Sequence, residues 1–251
     1  MATIDLAPPR ASRTGQQAPP PYARSYLLIR MSVGLMGIIL PFVLILGEYF
    51  FVRGDVDVRG SLSSYYHSPM SDLFVATLSI TGFLLIMYRI GDYRGAGFWF
   101  SLAAGITVLG VVFFPTWRPG LTHDEARCGA TPEPPGCSSV QQFLHERPTA
   151  VIHFTCAVVF ILCLAVIAGL FARENRKLAK NNRRLARDAT VQQACMFLIL
   201  AAVGWVALGD RFDLTIWKIT PLYAGEVVAV WAFGVSWLLA SRSYVGGSDA
   251  K

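Results

Sequence analysis

The sequence predicts an all-α fold, a polytopic membrane bundle of six transmembrane helices with both termini cytoplasmic. Three observations carry this. The 251 residues are 54% hydrophobic and only 15% charged, against roughly 25% charged in ordinary soluble domains. The apolar residues gather into six long runs, each close to the ~20 residues that cross a ~30 Å hydrocarbon core. The basic residues fall mainly between the runs on one side. A net charge of +6 therefore reads as membrane topology, and no nucleic-acid partner is expected.

The six runs are Leu27–Phe51, Pro69–Met87, Gly97–Pro115, Pro148–Phe171, Val191–Leu208 and Pro221–Ala240. Each must be helical, because unpaired backbone groups in lipid cost several kcal/mol and six spans cannot close a barrel. Pro41 removes one helix hydrogen bond and should kink the first span. Residues 1–25 hold Pro8, Pro9, Pro19, Pro20 and Pro21 and no apolar core, so they read as a flexible cytoplasmic tail. The membrane domain covers 26–241, and 242–251 is a second cytoplasmic tail.

Charge sets the orientation. Arg10, Arg13, Arg24 and Arg30 precede or open the first span, and Arg89 and Arg94 follow the second. Arg173, Arg176, Lys177, Lys180, Arg183, Arg184 and Arg187 follow the fourth, and Arg242 and Lys251 close the chain. These are fifteen of the 22 Lys and Arg residues, which places that side in the cytoplasm. The stretch 172–190 is then a basic cytoplasmic loop, read either as solvated chain or as a short helix on anionic headgroups. The long segment 116–147 is an outer loop. Its Cys128 and Cys137 flank a Pro/Gly-rich turn and are expected to form a disulfide in an oxidising exterior. Cys156, Cys163 and Cys195 fall within spans as packing residues.

No Walker loop, dinucleotide fingerprint, His-Glu-x-x-His, Cys-x-x-Cys or Gly-x-Ser-x-Gly elbow is present. Chemistry must therefore come from residues gathered across helices. The three helices running inward from the outer side open with Ser68-Pro69, Arg147-Pro148 and Thr220-Pro221. Proline suits the first helical turn, and Ser68 and Thr220 are capable N-caps. One ionisable residue follows each proline: Asp72, His153 and Glu226. At ~1.5 Å per residue they share one depth band, roughly 4–8 Å below the outer helix ends. His67 lies just before the first of these helices, in Ser63-Ser64-Tyr65-Tyr66-His67.

Ionisable groups in a membrane face the bundle interior or a wet cavity. His67, His153, Asp72 and Glu226 are candidate ligands for a zinc ion, whose bound water would attack an ester, amide or phosphoester. Ser63, Ser64 and Tyr66, with Asp72 and Glu226, are the candidate catalytic groups, the hydroxyls donating to substrate or developing charge. Set against this, Asp72 suits a helix first turn through the dipole alone, and His67 suits a headgroup-level loop. Glu226, with no basic residue nearer in sequence than Lys218, most needs a partner from another helix.

Ser61-Leu62-Ser63-Ser64-Tyr65-Tyr66-His67-Ser68-Pro69-Met70-Ser71-Asp72-Leu73-Phe74-Val75 resembles a family of bacterial six-span integral membrane proteins, and Glu226 through Trp237 is similar to that family's last helix. The resemblance implies architecture and a bacterial cytoplasmic membrane, and brings no activity with it. Ser63, His67 and Asp72 also resemble the pattern of the alkaline ceramidase and PAQR receptor superfamily, membrane hydrolases with an intramembrane zinc. That superfamily closes with a His-x-x-x-His helix, where this chain offers Glu226.

Three functional readings follow. One is an outer-facing, metal-dependent hydrolase of a lipid or lipid-linked ester or amide. A second is a non-enzymatic membrane accessory or lipid-headgroup-binding protein, with membrane lipids as partners. A third, a transporter or channel, needs polar residues continuing inward, and the inner halves of spans two, four and six offer few beyond Ser79, Thr81 and Ser236.

Overall fold

The computed structural model describes residues 21–52, 58–88, 95–120, 125–180, 182–212, 214–215 and 219–246. Both tails through residue 20 and beyond 246, and Arg89, Arg94, His123, Asp124, Trp217 and Lys218, lie outside the described residues. The described residues are mostly helical, with no strand among them. The helices are α1 (Pro21–Val52), α2 (Ser71–Met87), α3 (Ala96–Phe113), α4 (Ser139–Leu144), α5 (Glu146–Leu178), α6 (Arg183–Phe212) and α7 (Pro221–Gly246), with a 3₁₀ helix over Ser63–His67 ahead of α2.

Five of these contain stretches long and apolar enough to cross a membrane: Leu27–Phe51, Ala96–Phe113, Glu146–Leu178, Arg183–Gly209 and Pro221–Ser241. The sixth expected span is the shorter apolar helix Ser71–Met87. Its 17 residues rise about 26 Å, slightly less than the hydrocarbon core. It starts two residues after Pro69 because the Ser68 hydroxyl is engaged locally. That hydroxyl donates to Tyr65 O at 2.7 Å and accepts Met70 N–H at 3.0 Å, so it caps the turn and not α2. Thr220 does cap its helix, accepting Tyr223 N–H at 3.0 Å.

Two loop expectations are revised. The stretch 172–190 is helical over 172–178 and 183–190, so the basic cluster rides on the last turns of α5 and the first turns of α6. Ala, Arg, Lys, Glu and Leu fill those turns, and all are good helix formers. Hydropathy marks where a run stops being apolar, not where a helix ends. The segment 116–147, expected as a loop, contains α4, which opens with a reciprocal capping box between Ser138 and Gln141.

Around the bundle α1 packs on α7, α7 on α6, α6 on α5, α5 on α3 and α3 on α2, with α5 also reaching α7. The α1–α7 crossing depends on glycine. A Cβ on Gly234 would stand 2.7 Å from the Gly34 carbonyl oxygen, and one on Gly34 would meet Gly234 O at 3.0 Å. Such close backbone approach is what small residues permit between membrane helices. Two tryptophans of α7 fasten the same seam, Trp231 Nε1 donating to Ile38 O at 3.1 Å and Trp237 Nε1 to Arg30 O at 2.6 Å.

The core divides into two clusters. One centres on Trp237, fully buried among Tyr88, Phe171 and Phe233 with ring centroids 4.6, 5.4 and 5.2 Å away. The other joins Leu40 and Leu44 of α1 to Leu62, Tyr65, Phe74 and Tyr223 at the end where α2, α5 and α7 begin. The candidate site lies between them.

Candidate functional site

A cavity of about 80 Å³ opens inside the bundle between these clusters. Its wall is mostly apolar, from residues such as Met36, Leu40, Phe74, Val108, Phe160 and Phe233. The polar side chains on it are Ser63, Thr77, Thr81 and Glu226. The Thr81 hydroxyl donates back to Thr77 O at 2.8 Å, so it is satisfied within its own helix. Glu226 is the carboxylate of the site.

Glu226 reaches the cavity because it falls five residues after Pro221, one and a half turns into α7, on a helix whose first turn packs against the 3₁₀ segment. Its Oε2 accepts Leu62 N–H at 2.6 Å and its Oε1 accepts the Ser63 hydroxyl at 3.4 Å. No cation lies within ion-pair distance of it among the described residues. An ionised carboxylate offers about four acceptor sites, so two remain toward the cavity.

The other expected site residues are placed separately. Asp72 is exposed in the first turn of α2, the position the helix dipole favours. The Ser64 hydroxyl pairs with the Ser61 hydroxyl at 2.7 Å, away from Glu226. Tyr66 is half-buried, its ring edge-on to His67 at 5.3 Å. His67 Nε2 is 2.8 Å from Thr116 O and donates to it. Burial holds the His67 pKa below its ordinary value, partly offset by that hydrogen bond and by Glu146. His153 is fully buried, with Nδ1 at 2.7 Å from Phe114 O and 3.1 Å from Val111 O. Both acceptors are carbonyls, so Nδ1 carries the proton, and Nε2 is left buried with no hydrogen-bond partner.

Among the described residues, the structure does not bring three of these four donors within 4.8 Å of one another. Among the described residues, the His, Cys, Asp or Glu trio with ligand atoms within 4.8 Å of one another is Cys128, Glu133 and Cys137. Glu226 is tied to Leu62 and Ser63, both histidines to carbonyls, and Asp72 faces outward. In the outer trio the two cysteines are joined in the expected disulfide. A disulfide sulfur is not a thiolate, so this group becomes a metal ligand set only when reduced.

Three polar features escaped the sequence reading. Arg59 Nε donates to both Glu48 oxygens, at 2.8 and 3.0 Å, bracing α1 against the 3₁₀ segment. Glu146 is buried and gathers Arg118 N–H at 2.9 Å and Cys128 N–H at 3.2 Å, while the Arg118 guanidinium also donates to Ala126 O and Pro135 O. Arg118 therefore pins the 116–147 loop. At the opposite end, Asn175 Nδ2 donates to Gln192 Oε1 at 2.8 Å and Gln192 Nε2 to Ser236 O at 3.2 Å, linking α5, α6 and α7. The signal for Glu146 was its place two residues before Pro148. Proline is tolerated throughout a helix's first turn, so α5 begins before it.

One atom ties α4 to His67. The Thr116 carbonyl accepts both His67 Nε2 and Gln141 Nε2, the latter at 2.9 Å. Gly129 has φ +92°, and a Cβ there would fall 2.1 Å from His145 Nδ1, so the loop folds down only with glycine at that position. Comparison of the chain with protein-family models, with curated proteins and with solved structures finds no match.

Proposed function

We propose that this chain is a six-span protein of a bacterial cytoplasmic membrane, with both termini inside, that binds an amphiphilic lipid-like ligand from the outer side. The observation that carries this is Glu226 at the head of an apolar cavity, with no cationic partner among the described residues. A ligand with an amine or hydroxyl head and an apolar body matches that arrangement. The head donates to the free carboxylate sites, and the body replaces cavity surface that otherwise lacks contacts. Against conduction stands the aromatic plug around Trp237, which fills the bundle beyond the cavity.

The test is lipid extraction from protein purified in mild detergent, followed by mass spectrometry. About one amphiphile per chain is expected. Glu226→Gln removes a charge-assisted hydrogen bond and should lower retention by about tenfold or more. Equal retention in the variant would sink the reading. Reporter fusions at residue 251 and within 116–147 check the orientation, the first cytoplasmic and the second external.

A second reading, hydrolysis of a lipid ester or amide, is favoured by one observation. His153 Nε2 is buried and without a partner while Nδ1 donates to a carbonyl, so in the neutral ring Nε2 is the nitrogen that can accept a proton. Release of fatty acid by the wild type, lost in His153→Gln, would move this reading ahead.

A further inference from the structure

The α5–α6 hairpin outruns the membrane. At 33 and 30 residues the two helices extend about 50 and 45 Å, against a ~30 Å hydrocarbon core. The apolar stretch of α5 ends near Phe171, so Arg173, Arg176 and Lys177 follow at interfacial depth. Between the two helices at this level lies a groove of about 470 Å³, lined by Gly169, Arg173, Arg176, Lys177, Gln193 and Met196.

The sequence builds this groove. Gly169, Arg173 and Arg176 are spaced i, i+4 and i+7, which places them on one helix face. Gly169 supplies the floor, since a Cβ there would lie 2.7 Å from Met196 Sδ. Arg176 donates to Gln193 Oε1 across the groove, a contact that orients the guanidinium without neutralising it. Lys177 pairs with Glu174 at 3.4 Å on the solvent side. Arg173 is exposed and has no carboxylate within ion-pair distance among the described residues. Two uncompensated guanidiniums thus flank an apolar floor. Exposed Leu162, two turns before Gly169, and exposed Leu200, one turn after Met196, carry the apolar strip onward.

We infer that this groove holds an anionic phospholipid, its phosphate between Arg173 and Arg176 and its chains along Leu162 and Leu200. Guanidinium matches phosphate through paired N–H donors, and basic pockets between membrane helices on the cytoplasmic side suit acidic headgroups. The apolar strip is what a lipid uses and a free phosphate does not. Lys180, Arg183, Arg184 and Arg187 lie beyond the groove and add attraction that salt screens.

The test is native mass spectrometry of the full chain in detergent, titrated with phosphatidylglycerol and with phosphatidylcholine of the same acyl chains. One phosphatidylglycerol should be held about tenfold more tightly than phosphatidylcholine. Arg173→Gln/Arg176→Gln should lose about tenfold, with its thermal unfolding checked against wild type because both residues are exposed and the fold should survive. Arg183→Gln/Arg184→Gln removes the same charge outside the groove and should change retention by less than about twofold. Equal loss in the two double variants, or no preference for the anionic lipid, overturns the proposal. So does displacement of the lipid by millimolar inorganic phosphate, which would assign the site to a soluble anion.

Discussion

The Glu226 carboxylate accepts the Leu62 backbone N–H at 2.6 Å, across 164 positions of sequence. It holds the last helix against the segment that precedes the second. Buried N–H groups left unmade cost about 1–3 kcal/mol. Glu226→Leu should therefore destabilise the protein by that amount, while Glu226→Gln, which keeps an acceptor, should lose clearly less. Thermal unfolding in detergent distinguishes them. Equal midpoints for Leu and Gln would show that the bond contributes nothing.

Gly234→Leu should be disruptive on the same scale. Even its Cβ would overlap the Gly34 carbonyl, and overpacking typically costs about 1–3 kcal/mol. Gly204 is the control, since a Cβ there meets nothing within 4 Å. Gly204→Ala should unfold at or slightly above the wild-type temperature, because alanine favours the helix.

Thiol chemistry reads the outer loop. Of five cysteines, Cys156, Cys163 and Cys195 are free. Alkylation in denaturing detergent should label three per chain, rising to five after reductant. Labelling of five without reductant would remove the bridge. Reduction should loosen the loop by at most about 2–3 kcal/mol, the scale expected for closing so short a loop, and leave the membrane helices intact.

His67 gives the protein a pH dependence. Burial lowers its folded pKa below the ordinary 6.5, so the unfolded chain takes up the proton first as pH falls. Stability is full above about pH 6.5 and declines below it. Between pH 7.5 and 5.5 the unfolding temperature should drop, and His67→Gln should show a smaller drop. A variant with the wild-type profile would assign the effect elsewhere.

Much of the bundle is legible in hydropathy because lipid forces each apolar run to satisfy its own backbone. Five of the expected runs match helices long enough to span, and the sixth, at 17 residues, is one residue shorter than the shortest of them. Glu226 is legible as a residue that needs a partner, since a lone carboxylate in an apolar helix is costly. Its partner is not, because Leu62 contributes a backbone group that every residue possesses. Asp72 and Glu226 look alike in sequence, each a few residues past a proline. Only the rotation of each helix about its axis separates them, turning Asp72 outward and Glu226 inward. The basic stretch after Phe171 offers only Leu178 and Leu185, one heptad apart, as an apolar signal, too little to decide between helix and solvated chain.

The glycine seam between α1 and α7 has a consequence for assembly. Ribosomal synthesis makes α1 first and α7 last, yet each is the other's principal neighbour on that side of the bundle. The carbonyl of Gly34 waits for Gly234, and those of Arg30 and Ile38 for the indoles of Trp237 and Trp231, until α7 has been made. During translation α1 must be sheltered by lipid or by the insertion machinery. A chain truncated before residue 221 would leave the α7-facing side of α1 uncovered, marking it for degradation.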